Sequence, residues 1–179
     1  MIMKKLDGPL TDKAIISLRS GDEVAYSGVM YTARDQAHKR LADLIKKGKK
    51  LPVDLRGQIM YYCGPTPARP GNAIGSCGPT TAGRMDAFAP LLLKHGVQGM
   101  VAKGERSNEV RKAITQYHGI YFVTYAGCGA LLQGFVKSSR VAAFPELGAE
   151  AIYELRVENF PLVVAIDARG KLMKTTAEE

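Results

Sequence analysis

The chain has 179 residues, with 25 Lys and Arg against 17 Asp and Glu, a formal charge of +8. Such a length favours one domain of roughly 100–200 residues, enough to bury about two-thirds of the unfolded surface without a disulfide or metal staple. A hydrophobic fraction of 46% with 23% charged residues excludes disorder, collagen-like repeats and a disulfide scaffold.

In chain order, the periodicity alternates between short β-rich runs and helical stretches. Residues 11–19 read as a short helix and Gly21-Asp22 as a turn. Residues 24–32 (VAYSGVMYT) are β-branched and aromatic around Gly28 and read as a strand. Residues 35–47 carry Ala37, Leu41, Ala42, Leu44 and Ile45 on one helical stripe, and residues 58–63 (QIMYYC) read as a strand. Residues 64–79 then gather Pro65, Pro67, Pro70 and Pro79 with Gly64, Gly71, Gly75 and Gly78. That is a structured loop, too long for a simple connector and so a functional candidate. Residues 81–95 are helical, bent or divided by Pro90. Residues 99–102 (GMVA) form a buried strand, 108–117 a helix, 120–125 (IYFVTY) a strand and 128–135 a short helix. Residues 152–157 and 161–166 are strand-like, and the 167–170 turn precedes a polar tail. Strands alternating with helices predict an α/β fold. No repeat or interdomain linker stands out, so residues 1–179 are expected to form a single compact domain. No apolar run reaches the ~18 residues of a membrane span, and MIMKKLDGPL lacks the apolar core of a signal peptide. A soluble, cytosolic protein is expected, with no membrane partner.

The positive charge is unevenly placed. Residues 1–60 carry 12 basic and 7 acidic side chains, residues 61–120 carry 7 and 3, and residues 121–179 carry 6 and 7. Lys46, Lys47, Lys49 and Lys50 follow the helix of 35–47, where four cations suit the helix dipole and a solvated helix end. No aromatics interleave with them, Trp is absent, and no nucleic-acid motif appears, so no nucleic-acid partner is expected. Cys63, Cys77 and Cys128 are separated by 13 and 50 residues. Without a CxxC pair or a suitably placed His, they do not predict a structural metal; scattered small apolar Cys is the ordinary reading.

Three strand-to-helix junctions carry chemistry. Ligands gather at such junctions because helix N-termini point free N–H groups there. At Thr32-Ala33-Arg34-Asp35, Arg34 follows a strand and Asp35 can cap the next helix. Its guanidinium can fork onto a carboxylate, although surface pairing is the ordinary fate of Arg. At GPTTAGRMD (residues 78–86), Thr80 or Thr81 can be an N-cap, and Arg84 lies one turn along. An ordinary Thr cap with an exposed Arg is the alternative. At AKGERS (residues 102–107), Lys103 ends an apolar strand beside Gly104, and Ser107 can cap the following helix; a solvated turn is the alternative here. If Arg34, Arg84 and Lys103 share one crevice, the charge fits a dicarboxylate or a phosphorylated ligand. There is no Walker motif and no GxGxxG to favour a nucleotide.

The stretches GPTTAGRMD and AKGERS, with FPELGAEAIYELRVENFPLVVAID (residues 144–167), resemble the β subunit of class I, iron–sulfur-dependent fumarate hydratase. The same region forms the C-terminal domain of the single-chain enzymes and is similar to the β subunit of L(+)-tartrate dehydratase. GDEVAYSGVMYTARDQAHKRL and IMYYCGP fit as well, so the resemblance runs from about residue 10 to 170. It implies a swivelling β/β/α domain and a chain that is half of an enzyme. It implies an α subunit that supplies the cysteine ligands of a [4Fe–4S] cluster, none coming from this chain, and an α2β2-type heteromer. It implies substrate-binding cations at Arg34, Arg84 and Lys103, and Thr80 as the catalytic group exchanging a proton at carbon. The activity implied is reversible hydration of fumarate to (S)-malate. Dehydration of L(+)-tartrate to oxaloacetate is the near alternative, and a non-catalytic anion-binding assembly module is the alternative from another class.

Overall fold

The computed structural model describes residues 3–174. Seven strands, β1 (Lys4–Asp7), β2 (Glu23–Thr32), β3 (Ile59–Tyr61), β4 (Gly99–Ala102), β5 (Ile120–Val123), β6 (Val136–Ala143) and β7 (Ile152–Ile166), make one sheet. Five helices accompany them: α1 (Asp12–Ser17), α2 (Asp35–Lys46), α3 (Ala89–Lys94), α4 (Asn108–Gln116) and α5 (Gly129–Gln133).

Strands β1 to β5 run parallel in the order β1-β2-β3-β4-β5. Strand β7 is antiparallel to both β5 and β2, from Tyr121↔Ile166 at one edge to Glu23↔Val163 and Tyr31↔Glu154 at the other. The sheet therefore returns on itself through β2-β3-β4-β5-β7. Closure removes the open edges that a short parallel sheet would otherwise expose. Strands β1 and β6 lie outside the ring, β1 along the start of β2 and β6 along the start of β7.

Side-chain alternation splits the core in two. Val24, Tyr26 and Met30 of β2, Ile59 and Tyr61, Val101, Ile120 and Phe122, and Leu155, Phe160 and Val164 of β7 form one cluster, supplied by all five ring strands and so lying inside the ring. Ile15 of α1 and Leu132 of α5 join it. The intervening residues Met60, Tyr62, Met100, Ala102 and Tyr121 face outward, against Ala37 and Leu41 of α2, Leu92 of α3 and Val110 and Ile114 of α4. Burial on both faces explains why β3, β4 and β5 are continuous apolar runs rather than alternating ones. Gly28 marks a register shift in the β2–β7 ladder, with φ +153 and no room for a side chain, since a Cβ would lie 2.7 Å from the Tyr26 hydroxyl.

The α/β class read from the sequence holds. Three local expectations change. Residues 81–95 are not one helix: Ala82–Met85 is a 3₁₀ turn, and α3 begins only at Ala89. The break falls at residues 86–88, not at Pro90, which occupies the first turn of α3 where its missing N–H leaves nothing unsatisfied. Residues 152–157 and 161–166 are one strand, continuous through Asn159 at φ 52 and Pro161. Strands β1 and β6 were not anticipated, because both are mostly exposed and lack a recognisable apolar alternation. Among the described residues no helix is long and apolar enough to cross a membrane.

Candidate functional site

Strands β2, β3 and β4 are parallel neighbours, so Thr32, Tyr61 and Ala102 end at one rim of the ring. All four residues singled out in the sequence follow these strand ends or the loop between them. Past the rim, β3 and β4 part, and residues 80–82 come between them. The Thr80 N–H donates to the Tyr62 carbonyl at 2.7 Å, the Lys103 N–H to the Thr80 carbonyl at 3.1 Å, and the Ala82 N–H to the Lys103 carbonyl at 2.8 Å. Thr81 and Lys103 form an isolated parallel bridge. The insertion satisfies backbone groups that diverging strands leave unpaired. It also makes Thr80 and Lys103 neighbours on adjacent backbone segments.

Arg84 lies in the 3₁₀ turn that follows. Its Nε donates to Asp35 Oδ1 at 3.0 Å, and its Nη2 lies 2.9 Å from Oδ2, an ion pair with one hydrogen bond. Arg34, the N-cap residue of α2, reaches the same carboxylate with Nε at 3.8 Å and Glu150 Oε1 with Nη2 at 3.6 Å. Glu150 Oε2 accepts the Gln36 N–H at 3.0 Å, which puts an internal carboxylate on the first turn of α2. Gly64 leaves Arg34 its place: a Cβ there would lie 3.0 Å from both Cδ and Nη1 of Arg34.

The structure thus joins Arg34 to Arg84 through Asp35, and Thr80 to Lys103 through the backbone. Two of the three capping expectations fail. Asp35 lies inside the helix and serves as counter-ion, while the Thr80 and Thr81 hydroxyls make no cap bond to the 3₁₀ turn. Ser107 does cap α4, accepting the Val110 N–H. Lys103 is exposed and forms no ion pair among the described residues, and Arg84 is half-exposed. Lys46 in the last turn of α2 and Lys47, Lys49 and Lys50 after it are all exposed, as a solvated helix end requires.

Behind the rim lies a buried polar layer that the sequence did not announce. The Arg106 side chain is fully buried, with Nε 2.8 Å from Asp86 Oδ1 and its guanidinium over the rings of Tyr62 and Tyr121, at 5.3 and 5.2 Å. His38 on α2 is fully buried, edge-on to Tyr62, with Nδ1 2.9 Å from the Arg34 carbonyl. Burial pushes its pKa down to about 4, with the nearby Arg106 adding to the shift and the bond to the Arg34 carbonyl opposing it, so the ring is neutral. Asp35, Glu150, Asp86, Arg106 and His38 are the residues sequence reading missed. Charges inside AGRMD and KGERS were visible, but nothing in them indicated which acid meets which base.

Arg34, Arg84 and Lys103 all follow strand ends at this rim, and Asp35 and Glu150 pair with the two guanidiniums, so the rim carries cations of the kind a small dianion needs. The hollow lined by Arg56, Lys94, Gln98 and Tyr117 belongs to the opposite end of the strands, where Gly57 and Gly96 lead into β3 and β4, and it includes none of the four. The cysteines are poor metal ligands. Cys63 and Cys77 are buried in the core, which pushes the Cys77 thiol up to about 12 and Cys63 higher still; Cys128 is exposed. No group of three or more His, Cys, Asp or Glu suited to a metal occurs among the described residues.

The model of the family described as Fumarase C-terminus matches residues 2–177. The anaerobic class I fumarate hydratase of Escherichia coli K12 is 41% identical over 149 residues, covering 82% of this chain and 27% of that protein. The mitochondrial fumarate hydratase 1 of Leishmania major is 40% identical over the same shares of the two chains. The chain thus spans about a quarter of the length of these fumarate hydratases. A protein of Methanocaldococcus jannaschii, provisionally named L(+)-tartrate dehydratase subunit beta, is 38% identical over 167 residues, which is 90% of this chain and 86% of that one.

Proposed function

This chain belongs to the Fumarase C-terminus family, and from that premise we propose that it is the β subunit of a hydro-lyase that interconverts fumarate and (S)-malate. The observation that carries the proposal is the meeting, at one rim, of the Arg34–Asp35–Arg84 network with the backbone-coupled pair Thr80 and Lys103. In it Arg34, Arg84 and Lys103 bind and orient the two carboxylates. Thr80 takes the proton from the carbon next to a carboxylate as malate is dehydrated, and returns it during hydration. Loss of that proton drives an electron pair into the neighbouring carboxylate, and fixed guanidinium and ammonium groups lower the cost of the added charge. A lone hydroxyl is a poor base, so the adjoining cations assist it.

The residues of this chain do not fit an iron–sulfur cluster, given two core-buried, protonated thiols and an exposed third. The [4Fe–4S] cluster is therefore assigned to a partner α subunit, and the activation of the departing hydroxyl falls outside this chain. The exposure of Lys103 and Arg84 agrees with a half-site. A dianion on this rim has water on its other side until a second surface covers it.

A second reading, L(+)-tartrate dehydration to oxaloacetate, is favoured by the relative of similar length from Methanocaldococcus jannaschii. Malate and tartrate differ by one hydroxyl. The test is anaerobic co-production with a cluster-bearing α chain, followed by fumarate and tartrate assays. The chain alone is expected to show no turnover, and the assembly to turn over one of the two substrates. Thr80→Val is expected to lower kcat by about 10²–10⁴-fold. Arg84→Ala is expected to lower kcat/KM by about 10–100-fold, as loss of a charged hydrogen bond implies. Wild-type rates in both variants, with assembly intact, would sink the assignment. Tight binding of malate by the chain alone, with no turnover by any assembly, would favour the anion-binding module.

A further inference from the structure

Three segments that carry the rim meet on one buried cation. Arg106 lies under the Thr80–Lys103 insertion with its side chain out of contact with solvent. On one side its Nη1 is 3.3 Å from the Tyr62 hydroxyl, and the Tyr62 backbone carbonyl holds the Thr80 N–H. On another its guanidinium stacks over Tyr121, whose hydroxyl donates to the Gly104 carbonyl at 2.8 Å, next to Lys103. On the third its Nε pairs with Asp86, two residues past Arg84. The second oxygen of Asp86 accepts the Ser107 N–H at 2.7 Å, tying the 3₁₀ turn to the N-cap of α4.

Such a pair is a weak source of stability. Desolvating two charges costs about as much as their attraction returns, and apolar replacements of buried pairs are often neutral or better. Its geometry is specific, however: a planar cation held between the Tyr62 and Tyr121 rings, with one bond to the Tyr62 hydroxyl, is fixed in direction where a hydrophobic side chain would slide. Arg106 is also too deep to touch a ligand. We propose that Asp86 and Arg106 are positioning residues, a buried latch that sets Thr80, Arg84 and Lys103 in register with one another. As a statement about catalysis this rests on the hydro-lyase reading; as a statement about geometry it does not.

The test removes both charges together, as Asp86→Asn with Arg106→Met, so that neither is left alone and the Ser107 amide keeps an acceptor. The first readout is amide hydrogen exchange in the full chain. Exchange at Thr80, Ala82 and Lys103 is expected to quicken at least about tenfold, while β5 and β7 amides stay at wild-type rates. The second readout is kinetics in the assembled enzyme. There kcat is expected to fall about a hundredfold, the cost of a misplacement of about 1 Å, with KM changing less. If the double variant does not fold, Arg106→Lys keeps the charge and loses the stack. The same three amides are then expected to exchange faster than in wild type. Wild-type exchange at those amides, in whichever variant folds, overturns the latch. Failure of the wild-type assembly to hydrate fumarate or dehydrate tartrate overturns the hydro-lyase reading instead, and leaves the exchange result to decide the latch.

Discussion

Asp35 decides how the rim presents its charge. It holds Arg84 by two contacts and lies 3.8 Å from Arg34, so two of the three cations are oriented before any ligand arrives. Oriented guanidiniums cost a ligand less to engage than free side chains, each of which loses rotamer freedom on binding. Arg34 owes its place to the missing side chain at Gly64. Gly64→Ala puts a methyl group 3.0 Å from Arg34 Nη1 and 3.2 Å from the Ala149 carbonyl, and the flexible guanidinium is the group that yields. The expected result is a KM raised about tenfold with kcat nearly kept, as for a weakened ground-state contact, and an unchanged circular dichroism spectrum. Arg34, Arg84 and Lys103 stand out in the sequence because each sits at a strand-to-helix junction, whereas Thr80 is separated from Thr81 only by the family resemblance. The counter-ions do not stand out, since an acid at position 35 or 150 looks the same whether it caps a helix, faces water or meets an arginine.

At the scale of elements, legibility followed burial. Strands β3, β4 and β5 are buried on both faces and announce themselves as apolar runs. Strand β6 (VKSSRVAA) has buried residues only at its two ends, Val136 and Ala143, and reads as loop. Strand β7 carries a left-handed Asn159 and then Pro161, which in isolation signal a turn. The sheet continues because β2 on one edge holds Phe160 and Pro161 opposite Tyr26 and Ala25. The insertion of residues 80–82 between β3 and β4 was not legible at all, since it depends on where two parallel strands diverge in space. Gly28 tests the β2–β7 ladder. Gly28→Ala forces a side chain into φ +153 and to within 3.0 Å of Gly8 Cα. It is expected to cost about 1–3 kcal/mol, read as a lower urea midpoint with unchanged slope.

For the whole molecule, the buried neutral His38 makes stability depend on pH. Its pKa is about 4 in the fold against 6.5 when unfolded, so between those values the unfolded chain binds the extra proton. Its stabilising effect is fully present above about pH 6.5 and is lost as pH falls toward 4, by about 3 kcal/mol at most. Urea titrations from pH 7 to 4 are expected to show that decline, and His38→Phe to flatten it. An equal slope in the variant would assign the decline to other groups. The closed ring has a further consequence, in the time order of synthesis. Strand β2 emerges from the ribosome well before β7, yet one of its edges waits for β7, with Glu23 pairing to Val163 and Tyr31 to Glu154. Loops that long close slowly, and until then β2 offers an unpaired edge to any other strand. A nascent chain that stops short of Ile152 therefore has no closed ring, and its β2 edge is open to pairing with neighbouring chains.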